Sequence, residues 1–133
     1  MPDEVVMVLR LLTAAVLGGV LGYQRERSGK PAGTRTHMLI CMGAAMFTLV
    51  SIYGFAGTAD PSRLAAGVVT GIGFIGAGAI LFRSGGNYIS GLTTAATIWA
   101  VAGIGVAVGS GLYLLAVAAV VLALIVLLFP HFK

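Results

Sequence analysis

The chain has 133 residues, 59% of them hydrophobic and 9% charged, with a mean hydropathy of +1.05. A soluble domain carries about 25% charged residues, so this composition excludes a soluble enzyme or binding module and defines an integral membrane protein. The net charge of +4 and pI of 9.7 do not point to nucleic acid. The bases gather in one short loop between apolar runs, where they set topology.

A membrane-spanning helix needs about 20 mostly apolar residues. The first predicted span covers 5–23 and contains Arg10; the second covers 36–55, with Thr34 or Thr36 as its cap. The single Cys41 lies in an apolar run, which excludes an internal disulfide and reads as a small buried hydrophobe. Asp60-Pro61-Ser62 then places a capping carboxylate ahead of a third span over 62–82. The apolar tract 90–129 is about twice one span and should break at Gly109-Ser110-Gly111 into spans over 90–108 and 112–129, with Ser90-Gly91 as a cap. The expectation is an all-α, five-span bundle forming one transmembrane domain over 1–133. The acidic start, Met1-Pro-Asp3-Glu4, lacks the basic region of a cleavable signal peptide.

Span three holds Gly67, Gly71, Gly73, Gly76 and Gly78. Each interior glycine would cost a soluble helix about 1 kcal/mol relative to Ala, whereas in lipid missing side chains let helices approach closely. On a helical wheel Gly67, Gly71 and Gly78 share one face and Gly73 and Gly76 lie nearly opposite. The helix is therefore expected to be contacted on two sides or broken beside a cavity. Gly71-Ile-Gly-Phe-Ile-Gly76 formally matches the dinucleotide fingerprint, but the preceding strand and the acidic residue about 20 positions downstream are missing, and no carboxylate follows Asp60. Span four places Gly91, Ala95, Ala102, Gly105 and Gly109 on one face, with Thr93, Thr94 and Thr97 elsewhere. Trp99, near its middle, is expected inside the bundle or at an interface.

Orientation follows from the bases. Arg25, Arg27, Lys30 and Arg35 lie between spans one and two, Arg83 between three and four, and Lys133 ends the sequence. Five spans put all six on one side, the cytoplasmic one, with the N-terminus outside. The other side holds Asp3, Glu4, Asp60 and Arg63.

Ionisable groups at membrane depth are functional candidates. Arg10 lies about 7–10 Å inside the outer end of its span; it either snorkels to the headgroups or pairs with Asp60, and Asp60 is either that partner or a helix cap. As a metal ligand Asp60 alone falls short of the one or two carboxylates plus waters that magnesium takes, although a homodimer would supply two. Glu26, the one carboxylate in the basic loop, bridges Arg25, Arg35 or Arg83 or lies in solvent; the same cluster suits a phosphate or anionic lipid. His37 and His131 are expected at the interface. Thr93 and Thr94 either bond between helices or line a water path. No metal-ligand cluster or nucleophile–base pair is present in the sequence, so neither an enzyme nor a cofactor is expected.

These motifs resemble the MgtC/SapB family of bacterial membrane proteins. The matching pieces are Arg10-Leu11, Gly22-Tyr-Gln-Arg-Glu26-Arg27, Ala32-Gly-Thr-Arg35-Thr-His37 and Asp60-Pro-Ser-Arg63-Leu-Ala-Ala66, followed by Gly71-Ile-Gly-Phe-Ile-Gly-Ala-Gly78 and Gly91-Leu-Thr-Thr-Ala-Ala-Thr-Ile-Trp99. They occur in the expected order over most of 10–109. Thr34 and Ile75 stand where the family more often has Leu, and Tyr23-Gln24 departs from its usual wording. The resemblance implies a multi-span inner-membrane protein linked to growth at low magnesium and to survival inside hosts. It also implies action on other membrane machinery, ATP synthase included, rather than magnesium pumping. Many members add a soluble cytoplasmic domain, so the resemblance covers the membrane part.

Two functions follow. One is a non-enzymatic regulator that binds a partner within the bilayer; the other is a small dimeric carrier or channel for magnesium, protons or a small solute, with Arg10, Asp60 and the threonines along its path. Binding or functional candidates are Arg10, Glu26, Arg35, Asp60, Arg63, Asn87, Thr93 and Thr94. The expected surroundings are the lipid bilayer, a second copy of the chain and another membrane complex, with no nucleic acid. The topology is checked by cysteine scanning in a Cys41→Ala background: an impermeant reagent outside the cell should label cysteines at Asp3 and Ser110 and leave those at Asn87 and Lys133 untouched. External labelling at Asn87 overturns the five-span arrangement.

Overall fold

In hydrocarbon a peptide group has no water to bond, so long apolar runs satisfy their backbone internally as helices. The computed structural model describes residues 4–55, 60, 62–83 and 91–129. Among them the chain forms five α-helices and no strand: α1 (Glu4–Arg27), α2 (Thr34–Tyr53), α3 (Ser62–Arg83), α4 (Leu92–Gly109) and α5 (Tyr113–Leu127). The first four are long and apolar enough to cross a membrane. The fifth has 15 residues, about 23 Å at 1.5 Å per residue.

Two helix ends show how the sequence stops a helix. After α1, the Gly29 N–H bonds the Glu26 carbonyl and the Lys30 N–H that of Arg25; after α4, Gly111 bonds Val108 and Leu112 bonds Ala107. Both are Schellman caps. Each requires a left-handed residue, and glycine supplies it at φ +69° and +85°. The break expected at Gly109-Ser110-Gly111 is therefore real. Helix α2 starts differently from expectation. Its N-cap is Gly33, without a side-chain cap bond, and the Thr34 N–H is taken by the Glu26 carboxylate from α1 at 3.1 Å. The Asp60 carboxylate does serve α3, accepting from the Ser62 N–H at 2.9 Å and its hydroxyl at 2.8 Å. Ser90, expected to help cap α4, lies outside the described residues; Gly91 is the N-cap.

Helix α4 is the hub, touching every other helix, and α2 packs between α1 and α4. The approach is close because glycines face α2 from both sides. A Cβ on Gly18 would lie 2.5 Å from the His37 carbonyl oxygen, and one on Gly22 2.6 Å from that of Gly33. From α4, a Cβ on Gly105 would collide with the Cys41 carbonyl oxygen, and one on Gly109 would lie 2.7 Å from that of Ala45. Both pairs have the Gly-x-x-x-Gly spacing that lets backbones meet in lipid. Around them Ala14, Leu21, Cys41, Ala45, Val101 and Val108 form the buried centre. Ala44, Ile72, Ile98 and Ala102 join α3 to it.

The glycines of α3 behave otherwise. The helix is unbroken, and only Gly76 meets a neighbour, with its would-be Cβ 3.5 Å from that of Ala95 on α4. Nothing lies within 4 Å of the same point on Gly67, Gly71, Gly73 or Gly78. The expectation of close contact on two sides thus fails within one chain, because α3 sits at the edge of the bundle and offers α4 and α2 a single face. Trp99 is 61% exposed, so it is not inside the bundle.

These contrasts predict opposite outcomes for one kind of change. Gly105→Leu should cost about 3 kcal/mol or more by overpacking, while Gly71→Leu should leave the stability of the single chain within about 1 kcal/mol. Unfolding by SDS in mixed micelles, followed by circular dichroism, checks both.

Candidate functional site

Two groups of described polar side chains lie toward the two ends of the bundle. At one end, Arg10 of α1 gathers three elements. Its Nε donates to the Tyr113 hydroxyl at 2.8 Å, and one Nη donates to the Gly109 carbonyl at 3.0 Å and to the Tyr53 hydroxyl at 3.5 Å. The guanidinium carbon also lies 5.8 Å from the Tyr113 ring centroid. Gly109 ends α4, where unpaired carbonyls concentrate the negative end of the helix dipole. Arg10 is thus held by a helix terminus and two hydroxyls, tying α1 to α2, α4 and α5. The expected pairing with Asp60 does not form: Arg10 bonds Tyr113, Gly109 and Tyr53, and one Asp60 carboxylate oxygen accepts from Ser62.

At the other end, Arg25 of α1 is buried and donates to the Thr94 hydroxyl of α4. His37 of α2 is fully buried beside it. Its Nδ1 lies 3.0 Å from the Gly33 carbonyl oxygen. A carbonyl only accepts, so Nδ1 carries the proton, while Nε2 stands 3.3 Å from the Thr97 hydroxyl oxygen. That hydroxyl also stands 2.8 Å from the Thr94 carbonyl oxygen. Arg25, His37, Thr94 and Thr97 therefore form one buried polar cluster joining α1, α2 and α4.

Thr94 is the predicted candidate that this cluster includes. Thr93, Arg35 and Arg63 are exposed, and Asn87, His131 and the Arg83 side chain lie outside the described residues. Glu26 is exposed and caps α2 rather than bridging a base. Asp60 is fully exposed, and the N–H and then the hydroxyl of Ser62 hold its carboxyl below the usual carboxylate range. Among the described residues no three His, Cys, Asp or Glu side chains converge to hold a metal.

Arg25 and His37 are the site residues that a reading by loop and span misses, and helical phase identifies both. Residues 14, 18, 21 and 25 continue one buried stripe of α1, and 37, 41, 44, 48 and 51 one of α2. Arg27, two residues on, falls off the stripe and lies exposed with its hydroxyl partner Tyr23.

Among the described residues, a bundle of helices that includes four long and apolar enough to cross a membrane defines a multi-pass membrane protein. Comparison with known proteins gives the family. The model described as MgtC family matches residues 11–132, and this chain belongs to that family of inner-membrane proteins. It is 52% identical to YhiD of Escherichia coli K12, whose name gives it provisionally as a magnesium transporter, over 90% of this chain and 58% of that protein. Identity to SapB of Bacillus subtilis is 44%, over 90% of this chain and 54% of SapB. Identity to MgtC of Salmonella typhimurium is 45%, over 88% and 49% respectively. The chain thus spans about half the length of these curated relatives. No solved structure matches it.

Arg10→Lys keeps the charge but loses the planar fork, and should cost about 2 kcal/mol in the same SDS unfolding assay. Asp60→Asn should be nearly neutral at pH 7, because Asn caps as well as Asp. With its carboxyl held low, Asp60 contributes to stability above the ordinary carboxylate range and loses that contribution as pH falls through the depressed value. The Asn variant should remove that acid dependence.

Proposed function

We propose that this chain is a non-enzymatic regulator of other inner-membrane machinery in magnesium-linked physiology, acting by helix–helix contact within the bilayer. The observation that carries this reading is the open glycine face of α3. Gly67, Gly71 and Gly78 on that face have nothing within 4 Å of a would-be Cβ among the described residues, whereas Gly18, Gly22, Gly105 and Gly109 are spent on close contact between backbones. A helix that keeps glycines on an outer face keeps a surface on which a second helix can seat at backbone distance. A second copy of the chain and a different membrane complex are both candidates to occupy it. The polar groups fit the same reading, since Arg10, Asp60, Thr94 and Thr97 are engaged in bonds between or within helices.

The name of YhiD favours a second reading, in which the chain is part of a carrier for magnesium. Purified protein in liposomes separates the two. Under the regulator reading, fluxes of magnesium, protons and phosphate match those of empty vesicles; protein-dependent flux of any of them rejects it. Cysteines at Gly71 and Gly78 in a Cys41→Ala background should crosslink to a partner chain in cells, and Gly71→Leu should weaken that association tenfold or more, about 1.4 kcal/mol.

A further inference from the structure

Arg25 presents an unsolved charge. It is 4% exposed, its described hydrogen bond goes to the neutral Thr94 hydroxyl, and its Nε has no partner. A buried guanidinium needs a counter-charge, and none of the described acidic residues, Glu4, Glu26 and Asp60, bonds it. Glu4 opens α1 and Arg25 lies in its last turn, roughly 32 Å away along the axis; Asp3 directly precedes Glu4 in sequence. Asp60 binds Ser62, and Glu26 is exposed and accepts from Thr34.

Two further polar atoms at the same α1–α2 turn are buried without partners, the Thr34 hydroxyl and the Gln24 side-chain oxygen. The hydroxyl is a ready donor, and a Gln24 amide turned over presents its NH2 instead while its oxygen takes the Ser28 hydroxyl. The place also fits an anion by depth and by field. Helix α1 has 24 residues, about 36 Å against a hydrocarbon core of about 30 Å, which sets Arg25 at the headgroup boundary. Arg27, Lys30 and Arg35 stand exposed around the turn and raise the local concentration of anions.

We propose that Arg25, with the hydroxyls of Thr94 and Thr34, holds the phosphate group of an anionic ligand at the α1–α2 end of the bundle. The guanidinium supplies a planar pair of donors suited to phosphate oxygens, and the two threonines add neutral donors from α4 and α2. An anionic lipid headgroup and a free phosphate offer the same chemistry.

The test is a thermal-shift titration of the purified full chain in neutral detergent. One arm adds phosphatidylglycerol, the other inorganic phosphate, and phosphatidylcholine is the control. Wild type should gain several degrees over the control in at least one arm. A shift with phosphatidylglycerol alone identifies a lipid headgroup; a shift with inorganic phosphate identifies the free anion. Arg25→Gln should raise the half-saturating concentration tenfold or more, and Thr94→Val should weaken binding less, while Arg27→Gln and Arg35→Gln retain it. Should Arg25→Gln fail to fold, Arg25→Lys and Thr94→Val carry the comparison. The proposal is overturned by the absence of a shift in both arms, by a shift that survives in the Arg25 and Thr94 variants, or by one lost in Arg27→Gln to the same extent.

Discussion

The rest of the structure depends on how closely α1 and α4 approach α2. In water, burial of apolar surface would drive such helices together; in lipid that force is absent between helices, and contact must come from packing and directed bonds. Gly18 and Gly22 on one side and Gly105 and Gly109 on the other let α2 lie against the backbone of both neighbours. Any side chain at these positions would separate the helices and remove the many small attractions that only close distances provide. The buried alanines at 14, 44, 45 and 102 extend the same narrow seams.

The polar ends follow from that closeness. Arg10 reaches the Gly109 carbonyl and the Tyr113 hydroxyl because α1 and α4 are near enough for one side chain to span α4's end and α5's start. Arg25 meets Thr94, and His37 meets Thr97, for the same reason at the other end. Each arginine is held without a carboxylate, but the two differ. Arg10 has a helix terminus and two hydroxyls to stabilise its charge, while Arg25 has one neutral hydroxyl and a bare Nε. The first knot is complete as a structural tie; the second leaves a guanidinium with capacity for another acceptor.

Much of the fold was legible because hydropathy and stop signals act locally. Spans at 5–23, 36–55 and 62–82 lie close to α1, α2 and α3, and Gly111, in a left-handed cap, ends α4 within the expected break at 109–111. The candidate site was legible only in part. Reading charge by loop placed Arg25 among the cytoplasmic bases, as one of three partners for Glu26, although the stripe of 14, 18, 21 and 25 turns it inward. The Arg10–Asp60 pairing failed because two acceptors nearer to Arg10, a helix-end carbonyl and a tyrosine hydroxyl, come from positions 109 and 113 that only the packed bundle brings to it. Glu26 capping α2 across a Schellman turn is likewise a tertiary event that no window of sequence contains.

Glycine spacing alone does not say what a glycine face meets. Helices α3 and α4 are both rich in glycine, yet Gly105 and Gly109 press on the α2 backbone while Gly67, Gly71 and Gly78 meet nothing within the chain. The difference lies in position. Helix α4 touches all four other helices, and its Gly105–Gly109 face is the one turned to α2; among the described helices α3 touches α4 and α2, so the face turned away from them is spare. A spare glycine face in a membrane is not neutral. Each such glycine forgoes the side-chain contacts that a larger residue would make with lipid or a neighbouring helix, and among the described residues it gains no close backbone contact in return. An edge helix that carries three of them on one face has glycines that its own bundle does not explain, and contact with another helix at backbone distance is the interaction for which those residues are suited.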